Sequence, residues 1–320
     1  MKKHAYLLIV IAAALLMAGC SGSEDATATL DDGRLPILLQ GTFGLEETTR
    51  AGADIQGDVF MPNSPISVYL EENVAQGQTK TAYPNPMAFN VQGTAASLVP
   101  ADGNYPFYPV SGNSVTVRAV YPASHTTSSA FTVQIDQTTQ ASYLASDLIY
   151  GTVTASPTTS AVSMPFRHMM SKVVVNLLAA DENVDLTNAV VYFKGAKPTQ
   201  TFTASTGKVG NVTGNTTDIL ATNNGSEPFA IVIPPQTLQR GTQVLQITLR
   251  TGDVLKCNLG EILTLEQGKV YTFTVNVTVD RTPATIAINE AYLTEVTDWD
   301  HVNDASNVPT LETELEPEED

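Results

Sequence analysis

The sequence predicts an all-β body of two antiparallel β-sandwich domains in tandem, and three observations lead there. Thr, Val, Ala, Asn and Gly are abundant, and charged residues make up only 15% of the 320. β-Branched side chains lose less freedom on a pleated surface than in a helix, so this composition favours strands and turns. Short runs with apolar residues at a spacing of two recur, separated by Gly, Asn or Pro, the rhythm of antiparallel strands. Beyond the first twenty residues no apolar stripe of helical period and convincing length is present.

The chain starts with Lys2 and Lys3, an apolar run from Tyr6 to Met17, and the small-residue site Met17-Ala18-Gly19-Cys20. The run is too short to span a bilayer comfortably and has the layout of a secretory signal over residues 1–19. An ordinary signal peptide with an incidental cysteine is the bland alternative. Residues 20–34 are small, polar and acidic and read as a flexible tether.

The first domain is expected over residues 35–162. It opens with RLPILLQGTFGLEETTRAG, in which Ile37, Leu39, Gly41, Phe43 and Leu45 fall two apart, as on a strand with one buried face. ISVYLEE, SVTVRAVYP, FTVQI and DLIYGTV follow, with Pro-rich loops or edges between them. The polar stretch Thr154 to Ser163 marks the boundary. The second domain, residues 163–283, begins at MPFRHMMSKVVVNLLA and runs through AVVYFKG, TQTFTAS, EPFAIVIPPQ, VLQITLR, VLKCNLG and KVYTFTVNVTV. Residues 284–320 carry one more strand-like segment, ATIAINEAYLTEVTDWD, and an acidic tip.

The formal charge is −17, from 16 basic and 33 acidic residues. Phosphate binding needs a basic face, so this balance argues against a nucleic-acid partner. Of the two cysteines only Cys257 lies in the body, among apolar neighbours, where an inert buried thiol is expected. His168 sits in a strand without Cys, Asp or a second His nearby in sequence, which favours a structural role over metal binding. His125 and His301 have no better company. Asp298 and Asp300 flank Trp299 without EF-hand spacing. No phosphate loop, catalytic constellation or cofactor motif is visible, so an enzyme has no residue to recommend it. The aromatic cluster Tyr105, Phe107 and Tyr108 suits either a binding platform or a loop packed on the sandwich.

A cysteine at the first mature position resembles the bacterial lipobox, which implies a diacylglyceryl thioether and an N-acyl chain (palmitate-type) on Cys20. Several chains hold a protein on a membrane where one does not. The order of further segments carries a wider resemblance: a β-patterned strand ending in Arg50-Ala51, then Phe166, His168, Ser171, Lys172, Val173 and Val175, then IVIPPQ, GKVYTFTVNV and a late Trp299. This resembles the fimbrillin-like pilins of Bacteroidales, which build type V fimbriae for cell adhesion. The resemblance implies transthyretin-like sandwiches, a lipoprotein precursor on the outer membrane, and an Arg-specific protease cutting at Arg50-Ala51. It further implies that the first strand, residues 35–49, leaves and a C-terminal strand of another pilin subunit fills the groove. Uncovering the partners of Ile37, Leu39, Phe43 and Leu45 forgoes roughly 6–12 kcal/mol of burial, regained on refilling. The donor candidate runs from Ala284 to Trp299, with Ile286, Ile288, Tyr292 and Val296 on one face interrupted by Glu290 and Thr294. The competing reading is a monomeric outer-membrane lipoprotein that binds glycans or a host protein.

Overall fold

A computed structural model describes residues 34–43, 60–93, 96–125, 129–180, 182–223, 228–281, 284–299 and 312–313, the side chains of 129, 279–292, 298 and 312–313 excepted. The expected anchor Cys20, the tether up to Gly33, Leu45, the Arg50-Ala51 bond and most of the acidic tip therefore lie outside the described residues. So do the side chains of Ile286, Ile288 and Tyr292.

The chain opens with strands β1 (Leu39–Phe43), β2 (Pro65–Glu72), β3 (Met87–Gln92), β4 (Ser97–Pro100) and β5 (Val115–Tyr121). Next come β6 (Ser129–Thr132), the short helix α1 (Gln140–Ala145), β7 (Ile149–Ala155) and β8 (Val162–His168). All these strands except β6 form one closed barrel, in the order β1-β4-β3-β2-β5-β7-β8. The all-β expectation holds, but the first sheet closes on itself where an open sandwich was expected. β1 makes the closure, pairing antiparallel with β4 and parallel with β8 from Leu39↔Val162 to Phe43↔Phe166.

The rest of the chain supplies β9 (Ser171–Ala179), β10 (Val190–Ala196), β11 (Thr199–Thr203), β12 (Lys208–Thr213), β13 (Thr217–Leu220) and β14 (Phe229–Ile233). It continues with β15 (Gln236–Leu238), β16 (Gln243–Thr248), β17 (Val254–Asn258), β18 (Leu263–Leu265), β19 (Lys269–Arg281), β20 (Ala284–Asp298) and β21 (Glu312–Thr313). The sheet β14-β9-β19-β20-β21 and the sheet β13-β10-β16-β17 contribute their inward faces to one shared core.

The expected division at Thr154–Ser163 does not match the strand pairing. β8, expected to open the second half, hydrogen-bonds β7 and β1 and belongs to the barrel. The polar stretch is the connection of a β7–β8 hairpin, and a hairpin loop and a linker are equally polar because both face water. In the other direction, β6 pairs with β11, and Phe131, Val133, Tyr143, Leu148 and Tyr150 join the second core. The chain thus crosses from barrel to second core and back before β9 begins. The described residues from Arg34 onward accordingly cluster as one compact unit.

The helix α1 leaves no helical period in the sequence because it is short and buries only Tyr143. Its start is a capped turn, with the Thr139 hydroxyl accepting from the Ser142 N–H at 3.2 Å. Among the described residues no helix is long and apolar enough to cross a membrane.

Candidate functional site

The segment singled out in the sequence, β1, lies at the seam of the barrel. Its alternation is the expected one: Leu39, Gly41 and Phe43 are buried and Gln40 and Thr42 half-buried. Ile37 precedes it, fully buried, with its N–H donating to Pro106 O at 2.8 Å. Gly41 N–H donates to Ala96 O at 2.9 Å on one side, and Val162 N–H to Leu38 O at 2.8 Å on the other. β1 therefore satisfies two sheet edges at once while covering the barrel core. Burying Ile37, Leu39 and Phe43 contributes roughly 5–9 kcal/mol before the entropy of ordering the strand is subtracted.

Phe43 ends the strand in a nest of rings: Phe60 at 4.7 Å, His168 at 5.4 Å and Phe166 at 6.0 Å between centroids. The Phe43–Phe60 contact brings the two ends of segment 44–59 together. That segment contains Leu45, Arg50 and Ala51, so a cut there would separate β1 from the rest of the barrel without removing any other strand.

His168 is wholly buried, and its Nδ1 lies 3.0 Å from Oδ1 of the equally buried Asp147. The indole of Trp299 stacks on the imidazole at 4.0 Å, within 1° of parallel. The backbone N–H of Trp299 donates to Gly268 O at 2.7 Å, and the Lys172 ammonium sits 5.5 Å from the indole centroid. Asp147 lies far from His168 in sequence, and only the fold reveals the pair. Sealed from solvent, the pair packs at the seam where Phe43 of β1, His168 of β8 and Trp299, just past β20, meet. Among the described residues no group of His, Cys, Asp and Glu is placed to hold a metal. Cys257 is buried, and burial pushes its thiol up to about 12, far from a reactive thiolate.

The donor candidate is not a free tail. β20 pairs with β19 along its whole length, from Arg281↔Ala284 to Lys269↔Asp298. Extra residues at Asn289 and Thr294 break the register, so Ile288, Ala291, Leu293 and Val296 stand opposite Val277, Val275, Phe273 and Tyr271. Those partners are buried apolar residues of β19. Ile286, Ile288, Tyr292 and Val296 thus do not share one face, because each bulge shifts the two-residue period by one. Tyr292 stands opposite Thr274 instead. Leu293 and Trp299 are core residues, and Val296 packs against the same core.

The aromatic loop packs onto the barrel. Tyr108 is buried, the Phe107 carbonyl accepts from the Tyr83 hydroxyl at 2.8 Å, and the Arg34 guanidinium lies 4.8 Å from the Phe107 ring centroid. Sequence reading missed a polar cleft of about 510 Å³ lined by Tyr69, Glu71, Glu72, Lys80, Tyr83 and Arg118. Its charges answer one another: Glu71 pairs with Lys80, and with Arg118 at 3.3 Å. The buried Glu72 carboxylate accepts from Ser111 Oγ at 2.6 Å, the Thr81 N–H at 2.6 Å and Asn113 Nδ2 at 2.9 Å.

Those donors, Ser111 foremost, hold the Glu72 carboxyl down at about 2 against an ordinary 4.5. A depressed carboxylate contributes stability that is fully present above the ordinary value and lost as pH falls toward the folded one. Glu72→Gln is therefore expected to flatten the loss of thermal stability between about pH 4.5 and 2. Melting curves across that window check it.

Phe166 reaches across the barrel wall between two glycines. A Cβ at Gly151 on β7 would stand 2.9 Å from its Cδ1 and Cε1 and 3.0 Å from Pro165 O. Gly151→Ala is expected to cost about 1–3 kcal/mol by overpacking, read by denaturant unfolding.

Residues 49–299 match the fimbrillin-like family, a span that begins after β1 and ends on Trp299. No curated protein matches the chain. The fold is similar to that of a candidate cell-adhesion protein from Bacteroides uniformis, with a TM-score of 0.61 at 18% identity, covering 84% of this chain and 99% of the other. A second candidate cell-adhesion protein, from Bacteroides ovatus, gives a TM-score of 0.61 at 20% identity, covering 83% and 98%.

Proposed function

Because the chain belongs to the fimbrillin-like family, we propose that it is a structural subunit of a cell-surface fimbria, with β1 as a removable plug. The precursor is held at the outer membrane by acyl chains on Cys20. An Arg-specific protease cuts Arg50-Ala51, β1 leaves, and a strand of another subunit takes its place. The observation that carries the reading is the position of β1: it is the closing strand of the barrel, parallel to β8 and covering the core with Ile37, Leu39 and Phe43. Its loss exposes an apolar trough and two unpaired edges on β4 and β8, an arrangement that recruits strands.

The strand that this subunit would give to the next is sought in β20. Donation has to strip residues 284–292 from β19, while Leu293 and Trp299 have reason to stay in the core. The distal part of the β19–β20 hairpin is the more readily released one, since the pairing of β9 with β19 ends at Val277↔Ala179.

Precursor displayed on its own cells, with the other pilins present, should enter ladders that resist mild detergent once an Arg-specific protease is added, seen by electrophoresis without boiling. A product that stays monomeric after complete cleavage at Arg50 would count against assembly. It would favour a monomeric surface lipoprotein with a binding role.

A further inference from the structure

The vacated slot has a shape that not every strand can fill. β1 places Leu39, Gly41 and Phe43 inward, and a Cβ at Gly41 would stand 3.2 Å from Phe166 Cε2 and 3.4 Å from its Cδ2. These atoms form one edge of the ring, and the opposite edge, Cδ1 and Cε1, is already against Gly151. The ring is wedged between the backbones of β1 and β7, and Phe60 stands on it at 4.8 Å and 88°. A side chain at the Gly41 position requires the ring to give by a few tenths of an ångström, against Phe60 and the Gly151 backbone that already crowd it. Two residues further on, the position of Phe43 is a socket lined by Phe60, Phe166 and His168, suited to an aromatic side chain.

The C-terminal segment of this chain does not offer that pattern. Beyond residue 283 its only aromatics are Tyr292 and Trp299. Tyr292 has Glu290 and Thr294 two residues to either side, and Trp299 has Thr297 and His301. In either strand direction an aromatic seated in the Phe43 socket would drive a carboxylate, a β-branched side chain or an imidazole against the Phe166 ring.

We propose that the slot left by β1 takes a strand of a different subunit, one with glycine two residues before an aromatic side chain, and not the C-terminal strand of a second copy. The proposal rests on the strand-exchange reading above and adds to it a rule for which strand enters. Filaments of this chain alone are then disfavoured, and its neighbour on the β1 side is a distinct pilin. Selection of this kind works by exclusion: the wedge penalises wrong strands more than the socket rewards right ones.

The test uses the full chain cut after Arg50 and fluorescent peptides added to it, with capture followed by anisotropy and gel filtration. The peptides are residues 35–45, the same peptide with Gly41→Ala or Gly41→Val, residues 284–299, and residues 284–299 with Glu290→Gly. The native 35–45 peptide should be captured, and the Gly41→Ala peptide more weakly. The Gly41→Val and 284–299 peptides should bind about 10- to 100-fold more weakly than the native one. Glu290→Gly, which creates the aliphatic-x-Gly-x-aromatic order around Ile288 and Tyr292, should recover much of the loss. Equal capture of the native 35–45 and 284–299 peptides, or of the Gly and Val forms, would overturn the selection rule while leaving strand exchange intact. Capture of none of them would overturn strand exchange, and the rule with it.

Discussion

Arg50→Ala keeps the precursor out of the ladders that the parent chain enters, with the other pilins of the cell present, at the same dose of Arg-specific protease. The expectation follows from where β1 sits. With β1 in place the barrel has no open edge between β4 and β8, and Ile37, Leu39 and Phe43 fill its core. An incoming strand would have to displace these contacts, worth roughly 5–9 kcal/mol, while still linked to nothing. Once the 44–59 connection is cut, the resident strand loses its tether, and its departure is no longer opposed by chain connectivity. Arg34 provides an internal control, because it is exposed and lies upstream of β1. With the lipid anchor proposed above, cleavage there separates the anchor from the body and leaves the plug seated. A variant cut only at Arg34 should therefore leave the membrane and still not polymerise. Ladders from Arg50→Ala at the parental rate would remove this bond from the mechanism.

Trp299→Ala should lower the unfolding free energy by about 3–5 kcal/mol, the range for truncating a buried aromatic side chain. Trp299 is 3% exposed and covers the His168 ring, whose Asp147 partner is itself buried. Removing the indole opens a void beside a buried polar pair, which adds to the loss of contact area. Trp299→Phe keeps a stacked ring and should recover a large share. Denaturant unfolding monitored by far-ultraviolet circular dichroism reads both variants. A loss below 1 kcal/mol for Trp299→Ala would contradict the core role of the end of β20. The result also governs how strand donation is tested. Deleting everything from Ala284 removes Leu293 and Trp299 as well, so absent ladders after that deletion would report a damaged core. Substitutions confined to residues 284–292 avoid this.

Much of the fold was legible because its signals are local. The alternation Ile37, Leu39, Gly41, Phe43 needs only a period of two, and the structure buries each of these residues. The family resemblance was carried by the order of such segments, and the matched span confirms it. The partners of the strands were not legible. MPFRHMMSKVVV reads as one apolar run, yet β8 ends at His168 and β9 begins at Ser171 in a different sheet, with no Gly or Pro at the break. The crossing of β6 to β11 is a non-local pairing that no window of sequence contains. The bulges at Asn289 and Thr294 carry no Gly, and they moved Tyr292 out of the register expected for it. At the site, Gly41 was visible only as one member of an alternating strand. That it and Gly151 grip opposite edges of one ring depends on three strands meeting, which only the fold supplies. His168 looked solitary for the same reason, since Asp147 and Trp299 reach it from distant segments.

N-terminal sequencing of this chain, recovered from detergent-resistant polymers on the cell surface, bears most directly on the role of β1 as a plug. A mature chain beginning at Ala51, with residues 35–43 absent from the polymer, is the predicted result. Polymerised chains whose amino terminus is blocked, as an acylated Cys20 would be, or that retain residues 35–43, would contradict it.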